Sequence, residues 1–157
     1  MNQDDFKNYI VTPALDGIGL GGDAATTLLV GSAIIESGLE YLKQRPGPAL
    51  GILQCEPATH ALVKKWIENR SNLKCAVLRT CYMGDLPDDE ALIFNLRYAV
   101  CIARCLYASI MEPLPLATNA MALARYHFKY YNNGGKTDVW QSKLIFERLI
   151  RHEATSA

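Results

Sequence analysis

The chain has 157 residues, half of them hydrophobic, and its 16 basic and 16 acidic residues cancel. That length suits a single domain over residues 1–157 with a real core. The charge balance lacks the basic excess of a phosphate-binding face, so no nucleic-acid partner is expected.

Met1 to Lys7 is polar and acidic, without the basic start and apolar centre of a signal peptide. The most apolar stretch, Ala99 to Ile110, is interrupted by Arg104 and is too short to span a bilayer. The chain is therefore expected to be made in the cytoplasm, with no membrane partner, and to need another agent to cross a membrane.

In chain order, Asp4 to Val11 reads as a short first helix ended by Pro13. Asp16 to Gly22 is a glycine-rich connector; no strand precedes it and no Gly-Lys-Ser/Thr follows, so it reads as a turn and not a phosphate loop. Asp23 can cap a helix running to about Ser37, and Gly38 stands where a left-handed residue stops one. Lys43 to Pro48 is a loop rich in turn residues. Pro57 suits the first turn of the next helix, whose Thr59, Leu62, Val63, Trp66 and Ile67 form a core-facing stripe.

A short helix is expected within Asn72 to Thr80, and Pro87 to Glu90 reads as a helix start with acids at its positive end. Leu92, Leu96, Ala99, Ala103, Leu106 and Ile110 then step by four and three, which predicts one long central helix ended by Pro113 and Pro115. Asn119 to Tyr130 and Asp138 to His152 read as the last helices, separated by Asn132 to Gly135. No run makes a convincing strand, so a mainly α domain with little or no sheet is expected.

The five cysteines are odd in number and lack Cys-x-x-Cys spacing. Cys101 and Cys105 share a helical face, but no second ligand pair accompanies them, so neither a metal nor a cofactor is expected. Reduced, mostly buried thiols are the simpler reading.

The stretch that carries chemistry is Glu36-Ser37-Gly38, followed by Gly47-Pro-Ala-Leu-Gly-Ile-Leu-Gln-Cys-Glu-Pro-Ala-Thr-His60. A carboxyl group in the last turn of an apolar helix meets the negative end of the helix dipole, which favours its neutral form. A neutral carboxylic acid is what glycosidic cleavage needs, because the leaving oxygen must take up a proton as the bond breaks. Taken alone, the same Glu could simply close a helix into solvent.

Glu36-Ser37 followed by Gly51-Ile-Leu-Gln54 resembles the Glu-Ser…Gly-Leu-Met-Gln pattern of lytic transglycosylases and goose-type lysozymes. The 47–60 segment is more specifically similar to virion-associated, lysozyme-like proteins encoded by bacteriophages. Their pattern continues with an aromatic helix ending in Tyr-Asn, matched here by Tyr131-Asn132. The resemblance spans roughly residues 25–140 and implies a lysozyme-like fold. It also implies peptidoglycan glycan strands as substrate, with association with phage virion proteins and a part in host lysis or entry.

Position by position, the resemblance makes Glu36 the catalytic acid, with Ser37, Gln54, Glu56, Tyr131 and Asn132 as substrate-binding residues. Each partner also has a structural reading: Gln54 as a turn residue, Tyr131 as a packing aromatic, Glu56 as the cap before Pro57, and His60 as packing. The family's Tyr-Asn-Ala-Gly is Tyr131-Asn132-Asn133-Gly134-Gly135 here, which leaves the register of this second site open by one residue.

Hydrolysis needs a second carboxylate or a base for water, for which Glu40 and Glu56 are candidates; Asp85, Asp88 and Asp89 read as loop and helix-start charges. A lytic transglycosylase needs one Glu, because the sugar's own 6-hydroxyl attacks, and one strong candidate fits that route slightly better. The competing classes are a non-catalytic lysozyme-fold module for phage structure or cell-wall binding, and a helical adaptor protein.

Overall fold

The computed structural model describes residues 1–132 and 137–156. Among these the chain is mainly α-helical and contains no strand, only isolated bridges pairing Leu50 with Lys43 and with Cys55. Helix α1 (Gln3–Asp5) is capped by Asn2, whose side chain accepts from the amides of Asp4 and Asp5. It runs through a π-helical stretch, Phe6–Val11, into α2 (Thr12–Gly17). Pro13 therefore does not end the first helix. It follows directly on the π-helical stretch, whose wider turn absorbs the change of register at the ring.

Helix α3 (Asp23–Ser37) begins after Gly22, which takes φ +107 as the N-cap; Asp23 is the first helical residue and not the cap. Every residue from Ala25 to Ala33 is buried, so this helix runs through the interior and has no solvent face in its middle. Its end is sharp. Gly38 adopts φ +62 and its amide bonds back to Ile34 O at 2.9 Å.

Helix α4 (Pro57–Glu68) is followed by α5 (Ser71–Thr80). The stripe expected on α4 is rotated: Leu62 is 70% exposed, while His60, Val63 and Ile67 are buried. His60 can face the core because both ring nitrogens are partnered there, Nδ1 with Asp89 Oδ1 at 2.6 Å and Nε2 with the Tyr98 hydroxyl at 2.8 Å.

The long central helix is in fact two, α6 (Ala91–Phe94) and α7 (Leu96–Ala108). Asn95 makes the break: its side chain accepts from Tyr98 N at 3.0 Å and donates to Cys81 O at 3.0 Å, starting a fresh helix as N-cap. The run Tyr98 to Cys105 is buried throughout, and α2, α3, α4, α5 and α6 all pack against α7. Helix α8 (Ala120–Tyr130) is capped by Asn119, and α9 (Val139–Ser156) lies across α3 and α8. Gly31 permits that crossing, because a Cβ there would overlap the Phe146 ring. The chain ends are tied by Lys7–Glu153 at 2.8 Å and His152–Asp4 at 2.9 Å. No helix among the described residues is long and apolar enough to cross a membrane.

All five cysteines are free, and only Cys75 is exposed. Burial pushes the thiols of Cys55 and Cys105 up to about 12, and Cys101 is raised well above its ordinary range, chiefly by its bond with Cys81. Thiolate is the reactive form. The bond with Cys101 lowers the Cys81 thiol, which is shielded by its burial instead. Alkylation of the folded protein at pH 8 is expected to add a single adduct, on Cys75, by intact-mass measurement. A second adduct before unfolding would contradict the burial of the other four cysteines.

Candidate active site

The last turn of α3, the loop after it and the end of α8 enclose a cleft of about 730 Å³. Glu36, Gln54, Glu56, Tyr131 and Asn132 all line it, from segments far apart in sequence. The local sequence explains the meeting. Gly38 halts α3 directly after Glu36 and Ser37, and the chain then doubles back through a turn in which Gly51 takes φ +76 and Gln54 takes φ +46. Reciprocal backbone hydrogen bonds of 2.9 Å between Leu50 and Cys55 close that turn. The Tyr131 hydroxyl donates to Leu53 O at 2.7 Å, fastening α8 to the same loop.

Ser37 stands apart from the other expected substrate contacts. It is buried, and its hydroxyl lies 2.7 Å from Ile52 O and 3.1 Å from Ala33 O. That bond pins the Gln54 loop to α3, so the hydroxyl serves the scaffold and does not face the cleft. Ser37→Ala leaves the Ile52 carbonyl unpaired and is expected to cost about 1–3 kcal/mol in a urea melt; an unchanged midpoint would deny the bond its role.

Gln54 donates from Nε2 to Gly51 O at 2.8 Å, which leaves its second N–H and its carbonyl oxygen for a ligand. Its left-handed backbone is unusual for a residue with a side chain, a strain that recurs at functional sites. Glu56 occupies the N-cap position of α4, yet its side chain makes no capping bond and is exposed at the cleft. Glu40 is exposed and does not line the cleft. Asn132 is buried and donates to Thr137 O at 3.3 Å. Asn133, on which the open register depends, lies outside the described residues.

Glu36 has 17% of its side chain exposed. Its Oε1 is buried 3.0 Å from Nε2 of His127, a fully buried residue of α8. The approach is oblique, since neither atom completes a hydrogen bond among the described residues. On its other side His127 Nδ1 meets the Tyr107 hydroxyl at 2.9 Å and Ser32 Oγ at 3.1 Å, and those two hydroxyls are 3.0 Å apart. The Tyr131 ring stacks on the imidazole, with centroids 5.4 Å apart. Burial holds the phenols of Tyr107 and Tyr131 well above their usual range, so both stay protonated.

Sequence reasoning missed Ser32, Tyr107 and His127. The signal was positional: Ser32 precedes Glu36 by one helical turn, and His127 precedes Tyr131 by one turn. Gln44, Thr59, Leu62, Leu106, Tyr130 and Thr137 also line the cleft and were not anticipated there. Exposure of Leu62 thus places an apolar side chain on the cleft wall. Among the described residues, no group of three or more His, Cys, Asp or Glu side chains could hold a metal ion.

No family model matches the chain, and no curated protein or solved structure matches it either.

Proposed function

We propose that the chain cleaves the β-1,4 bond between N-acetylmuramic acid and N-acetylglucosamine in peptidoglycan, with Glu36 as general acid. One observation carries the reading: Glu36, Gln54 and Tyr131-Asn132, the three separated elements of the resemblance, line one cleft. Its volume of about 730 Å³ is in the range of small-molecule sites, enough for a few sugar rings. Lysozyme-like architecture and delivery by a phage virion belong to the same proposal and rest on the resemblance.

The chemistry follows from the cleft wall. Neutral Glu36 gives its proton to the glycosidic oxygen as the C1–O bond breaks, and the leaving oxygen keeps the bonding electrons. Positive charge grows on the ring, and the Glu36 carboxylate left behind faces it. The carboxylate then takes a proton from the attacking hydroxyl, which belongs either to the sugar's own C6 or to water. Gln54 and Asn132 have amide groups suited to sugar hydroxyls and N-acetyl groups. Glu56, exposed in the same cleft, is the candidate to hold a water, and it keeps the hydrolytic route open beside the intramolecular one.

Mass spectrometry of sacculi digested by the purified protein tests the reading. Anhydro-muramyl ends would assign a lytic transglycosylase, and reducing ends a muramidase. Binding to sacculi with no fragment released would replace both with a non-catalytic wall-binding or virion module. Neither binding nor release would leave the helical adaptor.

A further inference from the structure

The buried contacts behind Glu36 fix a proton. Ser32 Oγ, the Tyr107 hydroxyl and His127 Nδ1 form a closed triangle, and neither hydroxyl meets a partner outside it among the described residues. Each hydroxyl has one proton to donate. If Nδ1 also bore a proton, three donors would compete for two acceptor oxygens, and one buried O–H would be left without a partner. Such an orphan costs about 1–3 kcal/mol. With Nδ1 bare, both hydroxyl protons are used inside the triangle, and Tyr107 keeps its proton because burial disfavours the phenolate. The triangle thus assigns the ring proton to Nε2, the atom 3.0 Å from Glu36 Oε1.

We propose that His127 is a positioning residue for Glu36, keeping Nε2–H obliquely beside Oε1 at 3.0 Å so that the second carboxyl oxygen holds the proton passed to the glycosidic oxygen. The inference rests on the glycan-cleavage reading. An N–H beside Oε1 disfavours protonation of that oxygen, because two hydrogens would then face each other. The acid proton is directed to the other oxygen and the cleft. Once it has moved to the leaving oxygen, the same N–H lies beside the new carboxylate, whose Oε1 is shut away from water. The carboxylate then recovers a proton from the attacking hydroxyl, and the cycle closes with His127 unchanged. The groups facing the imidazole are Glu36 and Ser32 from α3, Tyr107 from α7 and Tyr131 at the end of α8. Glu36 alone among them changes charge.

Two measurements on the full-length chain test this. Ring 15N spectra of the labelled wild type are expected to show His127 Nδ1 as an acceptor nitrogen and Nε2 as protonated. Kinetics on sacculi should then show His127→Leu lowering kcat on the order of a hundredfold, the low end for loss of one preorganised donor, with KM moving far less. His127→Gln, which can place an amide N–H near the lost Nε2, should recover most of that loss. An Nδ1-protonated ring, or a folded His127→Leu variant as fast as wild type, overturns the inference while leaving the cleavage reading intact. If His127→Leu fails to fold, the wild-type spectrum and the Gln variant decide. A wild type with the expected ring protonation and no turnover overturns the cleavage reading, and the positioning role of His127 with it.

Discussion

Glu36→Gln is expected to stop the release of glycan fragments, lowering turnover by about 10³-fold, within the span of 10²–10⁴ usual for a general acid. That loss corresponds to roughly 4 kcal/mol of transition-state stabilisation. Gln keeps the size and shape of Glu but has no proton of useful acidity. Its carbonyl oxygen can still face the Nε2–H of His127, so the fold is expected to hold within about 1 kcal/mol. Binding to sacculi should persist, because the contacts from Gln54, Tyr131 and Asn132 are untouched. The split between retained binding and lost turnover separates an acid catalyst from a module that merely holds glycan. A Gln variant that releases fragments at the wild-type rate would move the acid elsewhere, with Glu56 the next carboxyl group in the cleft.

The parts of this arrangement legible in the sequence are those written in local chemistry. Gly38 after Ser37 and Pro57 after Glu56 each mark a helix boundary through a backbone need, and each boundary falls there. Periodicity served less well where its premise failed. A stripe analysis assumes one wet face, but α7 is buried almost all round, so its pattern exaggerated a single side and concealed the break at Asn95. On α4 the same premise placed Leu62 inward and left His60 out of the stripe. The actual order follows from the Asp89 and Tyr98 partners of His60, which no local window contains. The site divides the same way. Glu36 and Gln54 sit in short recognisable patterns, whereas His127 reaches Ser32 across 95 residues and Tyr107 across 20. A polar core triangle leaves almost no trace in composition or period, because each member looks like an isolated exception on an apolar helix.

Gly51→Ala is expected to be the most damaging single substitution in the cleft loop, by about 3–5 kcal/mol. Two costs combine. The backbone of Gly51 is left-handed at φ +76, which a residue with a Cβ adopts at a cost of about 1–2 kcal/mol. The new methyl group would also lie deep inside contact distance of the Leu92 carbonyl oxygen, a backbone atom at α6 that cannot swing aside. For a chain of this size each kcal/mol moves the melting temperature by roughly 2–4 °C, so a fall of about 6–20 °C is anticipated by calorimetry. Gly38→Ala supplies the control. Its φ of +62 is similarly left-handed, but nothing lies within 4 Å of the added carbon, so only the conformational cost of about 1–2 kcal/mol should appear. Equal losses in the two variants would mean that the approach of the loop to Leu92 is unimportant. A much larger loss at Gly51 would establish that the loop carrying Gln54 is held in place from beneath by α6. The glycine of the Gly-Ile-Leu-Gln pattern then has a physical reason to be a glycine, independent of any contact with substrate.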